Sequence, residues 1–297
     1  MLKLSTANAS AYRLFGAEES YRMLSEIGYD CIDYGIPCEK YKYGRGLFSL
    51  PLPQFEAFFK KDAALAEKYR LPAGQVHAPF PTWPESNDPD EYEFMMQALE
   101  KSILAAAIMG SPYLVLHCAM PMGWAEDTDL PRTRAENERV LARLLPVAER
   151  CGVTLALENM PLRKIPSCSP EQLIDYIDMM HSDRLVACFD TGHANLSGYS
   201  CAEYIRRLGK RLRVLHLHDN EYGRIYRQES EMDQHDCPGL GNIDWAATFA
   251  ALREIGYTGS LSLESDCFHK HFPPQLFRLS EQFQHDVLQS MAQLYLG

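Results

Sequence analysis

The sequence predicts an α/β protein built as a single (β/α)8 TIM barrel, on three observations. Short β-rich runs alternate with stretches of helical period from one end of the 297-residue chain to the other. Eight such runs can be placed, and eight strand-helix pairs in a chain of this length match that barrel. No G-x-G-x-x-G follows any run, which removes the main support for a doubly wound open sheet.

In order, the predicted strands are LKLSTA, YDCIDYGI, AGQVHAPF, YLVLHCAM, VTLALENM, LVACFDTG, RVLHLHDN and GSLSLESD. Between them AEESYRMLSEIG, LPQFEAFFKKDAALAEKYR, EYEFMMQALEKSILAAAIMG and RTRAENERVLARLLPVAERCG carry helical spacing. Several are closed by the Gly expected just past a helix end. The stretch FPPQLFRLSEQFQHDVLQSMAQLYL is the helix expected to close the ring. No linker or low-complexity segment interrupts the pattern, so residues 1–297 are expected to form one domain, and a 46% hydrophobic content supplies one large core. The longest insertion near a strand end is EYGRIYRQESEMDQHDCPGLG.

Composition narrows the function classes. Nine cysteines, an odd number without C-x-x-C spacing, include Cys31, Cys118 and Cys188 inside apolar runs, which argues against a disulfide framework. The start MLKLSTANAS lacks the basic-then-apolar pattern of a signal, and no apolar run approaches the roughly 18 residues that cross a bilayer. A cytoplasmic protein without a membrane partner is expected. A net charge of −11 opposes binding to nucleic acid or anionic membranes, which draws on clustered positive charge.

The active site of such a barrel lies at the C-terminal ends of its strands. There the third run ends at His77, the fourth at His117, the fifth at Glu158, the sixth at Asp190 with His193 beyond it, the seventh at His216 and the eighth at Glu264. All are metal-ligand types, and closure of the barrel brings them around one mouth. A lone His77 or His117 reads most simply as a hydrogen-bonded structural histidine. Glu158 in LALEN and Glu264 in LSLES read as functional, because charges ending apolar strands are seldom buried unless paired or metal-bound. Asp190 and His193 in FDTGHANLSG offer either a helix N-cap or an oxygen and a nitrogen to one ion. On the seventh run His216 is expected to point into the barrel and His218 away from it. Asp233 and His235, in the long loop, are possible further ligands for metal or substrate.

Through QVHAPF, LVLHCAM, LALENMP, CFDTGH, HLHDN, DQHDCPGLGNIDW and LSLESD, in that order, the chain resembles the xylose-isomerase-like TIM barrels. That family groups sugar and sugar-phosphate isomerases and epimerases with endonuclease IV. The resemblance implies a divalent metal held by Glu158, Asp190, His216 and Glu264. Its endonuclease IV branch implies a trinuclear zinc site that adds His77, His117, His193, Asp233 and His235, and every one of these positions is matched.

Charge separates the two branches. EKYKYGRG, with Lys40, Lys42 and Arg45 interleaved with Tyr41 and Tyr43, is the best candidate for a DNA-stacking surface. Against it stand the net charge of −11 and the acidic segments PESNDPDEYE and WAEDTD after the third and fourth strands. The expected activity is therefore a divalent-metal-dependent sugar or sugar-phosphate isomerase or epimerase, acting by enediolate proton transfer. As the resemblance implies, Glu158 and Glu264 would serve as acid/base groups, and His193 would hydrogen-bond a substrate oxygen. One ion, Mn2+, Mg2+, Co2+ or Zn2+, is expected, with a small sugar or sugar phosphate as partner and no nucleic acid. Trp83 and Trp124 are candidate pocket walls, and Arg163, Lys164, Arg224 and Arg227 candidate phosphate contacts. The alternatives are an endonuclease IV-like trinuclear zinc phosphodiesterase and a metal-dependent dehydratase on the same scaffold. A sugar-binding barrel without catalysis would not need two carboxylates at one metal.

Overall fold

The structure, a computed structural model, describes residues 2–37, 45–79, 88–121, 128–161, 166–221 and 233–297. Lys40, Tyr41, Lys42, Tyr43, Trp83, Trp124, Arg163, Lys164, Arg224 and Arg227 lie outside the described residues, as do the side chain of Arg45 and parts of both acidic segments. Each of the eight predicted runs coincides with one strand, β7 beginning one residue ahead of its run: β1 Leu4–Ala7, β2 Cys31–Gly35, β3 Ala73–His77, β4 Tyr113–His117, β5 Thr154–Glu158, β6 Leu185–Asp190, β7 Leu212–His216 and β8 Leu261–Leu263. All the pairings are parallel, in the order β7-β6-β5-β4-β3-β2-β1-β8. The ring closes just beyond β7, where the Leu217 amide donates to Ser262 O at 2.8 Å and the Glu264 amide to Leu217 O at 3.0 Å. Closure leaves no long open strand edge to be covered.

Helices α1 Ala9–Phe15, α2 Ala17–Ile27, α3 Arg45–Phe48, α4 Leu52–Tyr69, α5 Pro89–Ile108, α6 Leu130–Cys151, α7 Pro170–Asp178, α8 Thr191–Leu196, α9 Cys201–Leu208, α10 Trp245–Glu254 and α11 Phe277–Leu296 surround the strands. Gly28 and Gly152 end α2 and α6 in the left-handed region that a Cβ disfavours. Ser169 and Asp244 cap α7 and α10, accepting from the amides of Gln172 and Ala247. The last helix begins at Phe277, later than its helical spacing suggests, because Pro273 and Pro274 shape a short 3-10 turn ahead of it. No helix among the described residues is long and apolar enough to cross a membrane.

Two apolar layers follow from strand alternation. Between strands and helices lies the main core, with Ile32, Phe55, Phe59, Met95, Leu155, Phe189 and Phe249 all buried. Inside the barrel a separate cluster joins Val115, Ala156, Cys188 and Val214 from β4 to β7. Successive strand residues face opposite ways, so residues two apart share a face. Each member of the inner cluster therefore aims the residue two places on, His117, Glu158, Asp190 or His216, toward the barrel axis.

Candidate metal centre

Glu158, Asp190, His216 and Glu264 offer ligand atoms that all lie within 4.8 Å of one another. Their placement is a consequence of register: His117 pairs with Glu158 across β4 and β5, and Asp190 with His216 across β6 and β7. His216 is fully buried, and its Nε2 donates to Asp33 Oδ2 at 2.8 Å. That bond fixes the ring and turns Nδ1 toward the group, where the surrounding acids raise the imidazole well above its ordinary value and so hold a proton that an ion would displace. Nδ1 faces Glu264 Oε2 at 3.0 Å and Glu158 Oε1 at 3.2 Å. All three atoms are buried without a hydrogen-bond partner. Two buried carboxylate oxygens converging on one ring nitrogen call for positive charge among them, a proton or a cation, and a histidine braced by a carboxylate is the usual form of a metal-binding imidazole. The donor set fits a divalent ion.

Two further groups adjoin this one. His77 donates Nδ1–H to Ala78 O at 2.7 Å, which turns Nε2 toward Glu158 Oε2 at 3.4 Å, and His117 Nε2 reaches the same oxygen at 3.1 Å. His193 and His235 repeat the device. Their Nδ1 atoms donate to Asn159 O at 2.8 Å and Glu264 O at 2.7 Å, so that both Nε2 atoms face Asp233 Oδ2, at 3.3 and 3.1 Å. His235 holds a positive φ of 44°, strained for a residue with a side chain.

Electrostatics keep the acids ionised. Burial by itself would raise Glu158, but His216 and His117 beside it hold the carboxyl well below its usual range. Burial likewise opposes ionisation of Asp190, which His193 and His218 bring down to about 2. Asp233 and Glu264 are also lowered against burial, by His235 and His193 and by His216 respectively. Burial would lower His77, yet the hydrogen bond to Glu158 lifts it to about 9. Beside these groups opens a cavity of about 280 Å³, lined in part by Asp33, His77, His117 and Glu264. That lies at the lower edge of the range for small-molecule pockets, about 300–1,000 Å³.

Every candidate ligand predicted from the sequence and described in the structure lies at this mouth. Asp190 takes the first of the two roles open to it, its Oδ1 accepting the His193 amide at 2.6 Å as the cap of α8, and it also stands in the four-residue group. His193 Nε2, expected to meet a substrate oxygen, points at Asp233. One expectation is corrected. His218 does not turn away from the barrel: it is fully buried at the mouth, with Nε2 at 2.9 Å from Asp190 Oδ1. Residues two apart on an extended strand share a face, so His218 follows His216 inward. Asp33, Gln75 and Asn159 were not singled out by sequence. Asp33 braces His216 and accepts from Gln75 Nε2 at 2.9 Å, while Asn159 clasps the backbone of Asp190 in both directions. The signal for Asp33 was an acid within the apolar run CIDYG, the kind of charge that is seldom buried alone.

A family model described as a xylose isomerase-like TIM barrel matches residues 21–285. Among curated proteins, a D-psicose 3-epimerase of Enterocloster bolteae is 31% identical over 152 residues, covering 50% of this chain and 46% of its own. A probable endonuclease 4 of Geobacillus sp. strain WCH70 is 30% identical over 185 residues, 58% of each chain. The chain spans between 46% and 63% of the length of the first curated relatives it matches. Among solved structures, a D-tagatose 3-epimerase-like protein superposes with a TM-score of 0.75 at 22% identity, over 99% of this chain and 98% of that one. The IolI protein crystallised with a zinc atom gives 0.75 at 18% identity over 99% of each chain. At such identities these two likenesses show the fold alone.

Proposed function

The chain belongs to the xylose isomerase-like TIM-barrel family, and from that premise we propose that it is a divalent-metal-dependent isomerase or epimerase of a sugar or sugar phosphate. The observation that carries this reading is the convergence of three buried polar atoms without hydrogen-bond partners, His216 Nδ1, Glu158 Oε1 and Glu264 Oε2, joined by Asp190. Glu158, Asp190, His216 and Glu264 would hold one ion, of Mn2+, Mg2+, Co2+ or Zn2+. When bound, such an ion draws electron density from a carbonyl and its neighbouring hydroxyl and so acidifies the C–H between them. Glu264 lines the cavity and is placed to take that proton; in an isomerase it would return the same proton to the neighbouring carbon, and in an epimerase Glu158, entering from β5, would deliver a second proton, received from His77 at 3.4 Å, to the opposite face. His216, fixed by Asp33, keeps Nδ1 aimed at the group. His77 and His117 stand at the cavity wall, and a substrate oxygen on either Nε2 would have to replace Glu158 Oε2. His193 is the third group assigned to the chemistry, and a substrate oxygen on its Nε2 would have to replace Asp233. The size of the cavity, the net charge of −11 and the sugar epimerase among the relatives all support a small polyol over a nucleic acid.

A second reading, a trinuclear zinc phosphodiesterase, is favoured by one observation: the groups His77/His117/Glu158 and His193/Asp233/His235 each assemble beside the first. The probable endonuclease 4 among the relatives supports it as well. Elemental analysis of protein purified without chelator, run with an abasic-duplex cleavage assay and a ketose and aldose panel, tests the choice. The account expects one tightly held ion, conversion of a sugar and intact DNA. Three zinc ions per chain with strand cleavage would reverse it.

A further inference from the structure

We propose that His218 is a positioning residue of this centre, whose Nε2–H holds the Asp190 carboxylate in the orientation an ion requires. The inference rests on the reading of Asp190 as an ion ligand and adds a residue that reading does not contain. His218 is fully buried, and Nε2 lies 2.9 Å from Asp190 Oδ1 and 3.0 Å from Oδ2. The other ring nitrogen, Nδ1, is buried and makes no hydrogen bond, so Nε2 is the atom the fold uses and the one that carries the proton.

The ring is held from several directions. Thr191 Oγ1 donates to His218 O at 2.8 Å and accepts from His218 N at 3.1 Å, clamping the backbone next to Asp190 itself. The imidazole occupies space left by the missing side chain of residue 192: a Cβ on Gly192 would fall 1.9 Å from His218 Cε1. The ring also stacks on His235, with centroids 4.0 Å apart and planes 6° from parallel. His218 could be read instead as a ligand in the His193, Asp233 and His235 group, with which it shares close donor atoms. Its Nε2 is 4.0 Å from Asp233 Oδ1, however, against 2.9 Å from Asp190, so its first partner is Asp190.

A carboxylate that accepts only a main-chain amide at one oxygen can still swing its other oxygen. A ring donor reaching both oxygens prevents that. Partners of this kind are worth about 10- to 100-fold in metal affinity when removed. Full burial keeps His218 from substrate, so its influence passes through Asp190.

The test is calorimetric titration of Mn2+ and of Zn2+ into the metal-free full chain and into His218→Phe, His218→Gln and Gly192→Ala, with metal-free melting curves alongside. His218→Phe keeps the stack and removes the donor, and should weaken the tightest site about 10- to 100-fold. His218→Gln, which keeps a donor, should recover part of that loss. Gly192→Ala, which displaces the ring without altering it, should weaken the site as His218→Phe does, and it keeps the test open if the phenylalanine variant fails to fold. A ring that serves packing alone would lower the metal-free melting temperature and leave affinity at the wild-type level, and that result would overturn the proposal. Wild-type chain that binds neither ion would instead refute the ligand reading itself, and the proposal with it.

Discussion

The group of candidate ligands built from strand ends and the group that depends on the loop after β7 use the same side-chain types but are held by different means. Glu158, Asp190 and His216 end β5, β6 and β7, and sheet register with an apolar layer beneath sets where they point. Asp233 and His235 stand on no strand. Their segment is tied down by Asp219, which exchanges backbone hydrogen bonds with Asp236 at 2.8 and 3.1 Å. The Asp219 carboxylate also accepts from the amides of Asn220, Gly239 and Ile243 and from Trp245 Nε1. A barrel thus supplies one rigid group from its strands and pins a second by local hydrogen bonds, which open at lower cost.

The largest expected effect separates the two groups by turnover. Glu158→Gln removes the carboxylate shared by His77, His117, His193 and His216, and should lower kcat about 100- to 10,000-fold on the sugar a panel identifies. Steady-state rates should show a clearly smaller loss for Asp233→Asn. Equal losses would mean that the loop group takes part in the chemistry on the same footing.

Next comes pH. His77 binds its proton more tightly folded than unfolded, because Glu158 outweighs the burial that would otherwise lower it. The stability it contributes is complete below its ordinary value near 6.5 and is lost as pH rises through about 9. Metal-free protein should therefore lose up to about 3 kcal/mol across that window in urea melts. Ion-loaded protein should show a flatter profile, since the ion competes with the imidazolium for Glu158. A metal-free protein that gains stability over the same window would contradict the ion-pair account of the strand-end group.

Smaller still is the effect of freeing the loop. Asp219→Ala leaves several buried donors without an acceptor, and a loss of about 2 kcal/mol is expected. Hydrogen exchange should speed up over residues 233–243 while β4 to β6 keep their protection. Uniform loosening would show that the two groups are one cooperative unit. The smallest effect belongs to the opposite end of the barrel: Arg211→Ala breaks an exposed pair with Asp178, and its melting shift should correspond to less than about 0.5 kcal/mol.

What could be read from the sequence follows the same division. Alternation and helical period locate all eight strands, and carboxylates that end apolar runs, Glu158, Asp190 and Glu264, mark the mouth in the sequence itself. Asp33 carries only the general signal of an acid in an apolar run and Gln75 none, because their roles depend on β2 and β3 lying across the barrel from His216, a contact 183 residues apart in the case of Asp33. His218 was legible and was assigned the wrong face. The group around Asp233 could be named residue by residue, but a loop has no period, so nothing in the chain foretold that two imidazoles would be turned toward it by carbonyls of Asn159 and Glu264.

Proton transfer at carbon, carried out by glutamates of the strand-end group, is the central claim. NMR of the product formed in D2O by ion-loaded protein from a converted ketose or aldose tests it most directly. Deuterium at the carbon that is inverted, or that moves between carbonyl and hydroxyl, is expected for wild type, with exchange abolished in Glu264→Gln. Conversion without deuterium uptake, or undiminished exchange in Glu264→Gln, would contradict it.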